Sequence, residues 1–193
     1  MPRPDRSAER RRELSPALAR AFAELGYRRA TTAELAARCG VQEKALFRLW
    51  PDKRAMFLAA LERVFDESEA AWARLARDVS AGGTAAERLL AYEARHHGEH
   101  RLYRIVFAGL SETDDEEIRR ALAALFLRFQ RLIKQRVEEH RDGRAGGVDA
   151  SLAAWAIVGL GTVANIGREL DVVKDRERSR LLAEAGARLL ETE

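Results

Sequence analysis

The stretch GVQEKALFRLWPDK, residues 40–53, gathers side chains that read hydrogen-bonding edges rather than side chains that make or break bonds. Gln42, Glu43, Lys44 and Arg48 fall on the outward side of a short helix whose other side carries Leu46 and Trp50. Glutamine can pair bidentately with adenine, arginine or lysine with guanine, and glutamate can accept from the amino group of cytosine. Lys53 and Arg54, just past Pro51, stand where cationic groups and helix N–H groups can meet a phosphate. An arm carrying Arg3, Arg6, Arg10, Arg11 and Arg12 can follow phosphates or enter a minor groove. The same spacing also fits the solvated face of an ordinary helical hairpin.

Composition places these residues in a helical chain. Of 193 residues, 47% are hydrophobic and 34% charged, so the chain can bury a core and keep a solvated surface. Ala, Leu, Glu and Arg dominate, which favours helix. The net charge of +3 is unevenly spread: residues 1–54 hold 13 Lys/Arg against 7 Asp/Glu, and the remainder is mildly acidic. A basic segment joined to an acidic one suits contact with a polyanion by the first and not the second. A single cysteine, Cys39, excludes an intramolecular disulfide and fits a reducing compartment. The N-terminus has no apolar run behind its charges, and the Leu152–Ala164 run is thirteen residues, short of a bilayer span. These features lead to the expectation of a cytoplasmic chain with no membrane partner.

Periodicity predicts an all-α chain of about nine helices. Leu14, Leu18, Ala21, Phe22 and Leu25 mark a first helix closed by Gly26. Either Ser15 caps it and Pro16 is its first residue, or it begins near Ser7 and bends at Pro16. The capping box Thr31-x-x-Glu34 opens a second helix that stops at Gly40. A third is expected over Gln42–Trp50, halted by Pro51, and a fourth over Asp52–Val79. Further helices follow from Thr84 to about His97, on to Leu110, over Asp114–Arg141, over Asp149–Leu170 and over Lys174–Leu190. The charge contrast and the helices give an expected division into an arm and reading head over 1–54 and a helical domain over 55–193.

The segment LARAFAELGYRRATTAELAARCGVQEKALFRLWPDKRAMFLAAL resembles the DNA-binding domain of the TetR family of bacterial transcriptional regulators. The resemblance is carried by Phe22, Gly26, Thr31, Thr32, Gly40, Val41, Trp50, Asp52 and Lys53. It implies a helix-turn-helix head and a homodimer on a palindromic double-stranded DNA operator, usually a repressor released by a small-molecule effector. It also implies base contacts from Gln42, Glu43, Lys44 and Arg48, and backbone contacts from Thr31, Thr32, Phe47, Lys53, Arg54, Arg11 and Arg12. Gln42, Lys44 and Ala45 replace the Ser, small residue and Thr common in the family, and Phe47 and Leu49 replace frequent polar aromatics. These departures alter which operator is read.

For the second half, Trp72, Tyr92, His96, Tyr103, Phe107, Phe126, Phe129 and Trp155 could line an apolar cavity with Gln130, Asn165 or Arg168 as polar handles. Each also fits plain core. The apolar run reads as a helix buried on more than one side, pairing across a dimer through Trp155, Val158, Gly159, Thr162, Leu182, Ala185 and Leu189, or closing an intrachain core. His96 and His100 have metal-ligand spacing but no third ligand, so no metal and no cofactor are expected. Cys39 reads as a packing residue. No catalytic motif stands out, and the alternative function is a helical ligand- or metal-binding protein without specific DNA binding.

Overall fold

Pro51 and Gly40 punctuate the first third of the chain, and helices of very different length form around them. The computed structural model describes residues 6–78, 80, 82–98 and 101–192. Arg3, Val79 and His100 lie outside these residues. Every element among them is helical: α1 (Arg6–Leu25), α2 (Thr32–Arg38), α3 (Glu43–Phe47), α4 (Lys53–Arg77), α5 (Ala85–His96), α6 (Tyr103–Leu110), α7 (Glu116–Arg141) and α8 (Ala150–Glu169). The last run is α9 (Asp175–Arg180), a π turn (Leu181–Ala185) and α10 (Gly186–Leu190).

Packing divides the chain into two compact units, residues 1–67 with 100–125, and 68–99 with 126–193. A functional division near residue 54 does not coincide with this one, because α6 packs against α1 and brings the middle of the chain into the first unit.

In the first unit, Leu18 and Phe22 of α1, Leu35 of α2, Leu46 of α3, Phe57 and Leu61 of α4, Ile105 of α6 and Ile118 of α7 are fully buried. Phe22 meets Phe57 edge-on with ring centroids 5.1 Å apart, and Tyr27 lies 4.9 Å from Phe57. Gly109 of α6 sits against this cluster: a Cβ there would stand 3.2 Å from the Leu122 methyls and 3.4 Å from the Phe57 ring. Pro16 lies inside α1, which starts at Arg6, so the second of the two expected arrangements holds for the start of the helix. The Ser15 hydroxyl donates to the Arg11 carbonyl at 2.7 Å, one turn earlier.

The second unit has an aliphatic core, with Ala86, Val137, Ala153 and Leu190 buried and Leu90, Ile133 and Ile157 packed on them. Its helix ends are closed by arginines. Arg88 donates to the Leu75 and Ala76 carbonyls at 2.9 and 2.8 Å, at the C-terminus of α4, and to Gly82 and Gly83 beyond it. Arg141, itself buried, donates to Leu189 and Leu190 at 3.1 and 3.3 Å and to Val148 at 2.6 Å. A guanidinium carries five donors in a planar fork, and the last carbonyls of a helix carry partial negative charge. Thr84 caps α5 as expected, and with Glu87 it completes a reciprocal capping box that the sequence reading did not name.

The π turn interrupts the final helix expected as one piece over Lys174–Leu190. Helix α8 spans 20 residues, not the thirteen of its apolar run, and its length and composition suffice to cross a membrane. The length argument made from the run alone does not apply to the whole helix, although one face of α8 packs within its own unit. Replacing Arg141 by Met should keep the aliphatic volume and strip the helix-end carbonyls of their donors. Loss of about 2 kcal/mol of stability is expected, read as a lower urea midpoint.

Candidate nucleic-acid interface

The head is built from α1, α2 and α3. Thr31 caps α2, its Oγ1 accepting from the Glu34 N–H at 3.2 Å. Only this half of the expected capping box forms, because the Glu34 carboxylate instead accepts from Arg38 one turn later. At the other end Gly40 adopts φ +65°, the Val41 N–H donates to Ala36 and the Gly40 N–H to Ala37. This paired closure is a Schellman turn, which needs a left-handed residue at the position Gly40 fills.

Helix α3 then runs only over Glu43–Phe47, shorter than the expected Gln42–Trp50. Gln42 is its N-cap in extended conformation. A residue before proline is pushed out of the α region, so Trp50 must leave the helix ahead of Pro51. The Leu49 N–H bonds to Leu46 and tightens the last turn. Leu46 and Trp50 are buried and hold α3 down, leaving Gln42, Glu43, Lys44, Phe47 and Arg48 exposed.

Glu43 is already engaged, since Thr32 Oγ1 donates to its carboxylate. Gln42, Lys44 and Arg48 thus present the polar groups of the face, and Phe47, 46% exposed, its apolar contact.

The cations expected on phosphates are differently placed. Arg12 is exposed. Arg11 donates through Nε to the Leu49 carbonyl at 2.9 Å and so ties α1 to the end of α3. Lys53 donates to the Tyr27 carbonyl at 3.1 Å and lies 4.6 Å from the Tyr27 ring centroid. Arg54 faces three carboxylates: Glu117 at 3.2 Å, Asp115 at 3.3 Å and Asp52 at 4.0 Å. The Ile118 N–H and then Arg54 hold the Asp115 carboxyl below the ordinary carboxylate range. Such a contribution is complete above the ordinary range and is lost as pH falls through the depressed value. Burial, and then the Asp115 charge, push the Tyr27 phenol up. Burial likewise raises the half-buried Cys39 thiol, which suits packing rather than reactivity.

The residues expected to line a cavity fall in both units. Tyr103 and Phe107, a pair at 5.6 Å, belong to the first unit, and the others belong to the second. Within the second unit Trp72 lies 5.5 Å from Phe129 and donates through Nε1 to Glu93 at 2.7 Å. His97 Nδ1 lies 2.7 Å from the same carboxylate, and its Nε2 lies 2.9 Å from the Gly161 carbonyl. Gln130 is buried on Ser151, Asn165 is buried with Oδ1 lacking a hydrogen bond, and Phe126 is half-buried. Tyr92 stacks near His96, which is exposed. Trp155 faces outward, and Glu93 and His97 enter a polar cluster that sequence reasoning did not assemble. Among the described residues no three His, Cys, Asp or Glu group to hold a metal ion, and the pairing of His96 with His100 lies outside them.

On α8 the outward face is apolar. Leu152 (61% exposed), Trp155 (42%), Val163 (52%), Ile166 (43%) and Leu170 (66%) follow one another at three- and four-residue steps, with Gly159 between. Of the residues expected to pair across a dimer, Trp155 and Gly159 lie on this stripe. Val158, Thr162, Ala185 and Leu189 are half-buried, and Leu182 is inside its own unit. The sequence signal for the stripe was present, because its largest side chains already sat at helical spacing.

A short exposed helix set by a glycine turn on two supporting helices defines a helix-turn-helix DNA-binding protein. The family model described as bacterial regulatory proteins, tetR family, matches residues 17–60, and the chain belongs to that family of DNA-binding regulators. It is 32% identical over 164 residues to the nucleoid occlusion factor SlmA of Aliivibrio fischeri, covering 80% of this chain and 81% of that protein. The SlmA of Vibrio cholerae is 29% identical with the same coverage. Reduced NemR of E. coli superposes with TM-score 0.76 at 17% identity, covering 96% of this chain and all of that one. FadR of Bacillus subtilis, solved with stearoyl-CoA, gives 0.70 at 16%, covering 94% and 98%. At these identities the two structures bear on the fold alone.

Gly40→Val should force a branched side chain into the left-handed region and cost about 1–2 kcal/mol. Limited proteolysis is expected to cut the α2–α3 segment faster while thermal unfolding of the second unit is unchanged.

Proposed function

We propose that the chain is a homodimeric repressor that binds a palindromic operator and is released by a small-molecule effector in the cytoplasm. The observation that carries the DNA half is the exposed row Gln42, Lys44 and Arg48 on a helix anchored from below by Leu46 and Trp50. Gln42 and Lys44, at the N-terminal end of α3, and Arg48, one turn on from Lys44, are the base readers. Arg12, Thr31 and Phe47 lie along the backbone. The dimer half is supported by the stripe Leu152, Trp155, Gly159, Val163, Ile166 and Leu170, since an apolar row this long is covered in a stable protein. A C2 pair brings two heads to half-sites about 34–36 Å apart. An effector is supported by the aromatic and polar groups around Trp72, Phe129, Gln130 and Asn165, and by the stearoyl-CoA held in FadR, a fold relative.

A second reading is favoured by the 32% identity to a nucleoid occlusion factor over 80% of the chain. It keeps the reading head and gives up the single operator in favour of many chromosomal sites.

Chromatin immunoprecipitation separates the two: one or a few peaks beside promoters support the repressor, and peaks spread across the chromosome support the second reading. Lys44→Ala with Arg48→Ala should remove preference for the recovered sequence by about 2–6 kcal/mol while leaving weak, salt-sensitive binding to any duplex. Retained selectivity in a gel shift would reject the assignment. For the dimer, Val163→Arg should yield a folded monomer by analytical ultracentrifugation and lose binding to a two-half-site operator.

A further inference from the structure

Arg54 and Lys53 stand at the start of α4, where the DNA reading expects them to hold phosphates, yet both are occupied by groups of their own unit. Lys53 is spent on the Tyr27 carbonyl and ring. Arg54 has three carboxylates around it, two of them from the turn between α6 and α7 and the start of α7. That segment, SETDDEE over residues 111–117, holds five of its seven positions as acids. A second bridge reaches the head from the same segment, with Arg28, between α1 and α2, 2.7 Å from Glu112.

The placement of the acids is specific. Asp52 and Asp115 are each also helix caps: Asp52 Oδ1 accepts from the Ala55 N–H at 2.7 Å, and Asp115 Oδ1 from Glu117 and Ile118 at 2.9 and 3.2 Å. Arg54 therefore bridges the N-termini of α4 and α7 through their caps. Oxygen anions held at a helix N-terminus beside a guanidinium are what a phosphate would supply at the same place.

We propose that the acidic turn 112–117 is an autoinhibitory clasp that holds Arg54 in a phosphate-like carboxylate cage and releases it when DNA phosphate takes over. This rests on the DNA-binding reading above. The Arg54 side chain is 37% exposed and its partners 31–53%, so water still screens the pairs and exchange of carboxylate for phosphate is cheap in either direction. Because the cage reaches from α4 to the α6–α7 turn, a shift of that turn toward or away from Arg54 alters how readily the head takes up phosphate.

Asp115→Asn with Glu117→Gln removes two charges and keeps an N-cap, since Asn caps as well as Asp. The probe is a fluorescent 30-base-pair duplex of mixed sequence, titrated by anisotropy across a salt series. The double variant should bind several-fold more tightly than the parent at low salt. Its plot of log affinity against log salt should be steeper by about one unit per head, the slope expected for one added phosphate contact. Two controls separate the clasp from bulk charge. Glu138→Gln with Glu139→Gln makes the same change in net charge away from Arg54 and should give a smaller gain and no steeper slope. In an Arg54→Gln background the clasp substitutions should lose their effect.

A parent that binds and a double variant with the same slope and affinity overturns the clasp and leaves the DNA reading standing. A parent and variant that both fail to bind overturn the two together. A steeper slope equally produced by the Glu138 and Glu139 pair also overturns it.

Discussion

The edge-to-face contact of Phe22 with Phe57 is the constraint on which the reading head depends. Phe22 is the one aromatic side chain of α1 and Phe57 sits in the first turns of α4, so their burial fixes where α4 begins relative to α1. The short helices α2 and α3 are too brief to be stable alone, since a helix of five or seven residues does not recover its nucleation cost. They persist because Leu35, Leu46 and Trp50 insert into the space that α1 and α4 leave. Gly109 lets α6 join the same cluster at a distance no larger residue permits without displacing Leu122. The exposed face of α3 is thus held by the buried side chains beneath it.

Charge does different work in the two units. In the first, cations outnumber anions in the head, but the acids of the α6–α7 turn are brought back against Arg28 and Arg54. In the second, arginines serve the backbone: Arg88, Arg141 and Arg168 donate to carbonyls at helix ends, Arg168 reaching His97 at 2.8 Å. A composition rich in arginine therefore supplies both a polyanion-facing surface and a set of helix closures. The net charge alone cannot tell one use from the other, because both leave the guanidinium count unchanged.

Much of the fold was legible from periodicity and punctuation. The Thr31 and Thr84 caps, the Gly40 turn and the Pro51 stop are local signals, decided by backbone geometry within four residues, and each appears where the spacing puts it. The candidate readers Gln42, Lys44 and Arg48 were legible for the same reason, since burying Leu46 and Trp50 leaves their side of α3 outward. The short end of α3, the π turn after α9 and the lost half of the Thr31 capping box were not legible. Two are decided by neighbours that the apolar spacing does not rank, the ring of Pro51 acting on Trp50 and Arg38 drawing Glu34 away, and nothing in the local pattern marks the π turn.

By itself the sequence determined that the chain is helical, where its helices open and close, and which family its head belongs to, because these follow from local propensity and a dense motif. Only the tertiary structure decided which like residues share a fate. It turned Trp155 outward and Leu182 inward, sent Arg11 to a carbonyl while leaving Arg12 exposed, and brought to Arg54 two carboxylates from more than sixty residues away in the chain. Burial and ion pairing depend on what arrives from distant segments, and no spacing within one helix carries that information.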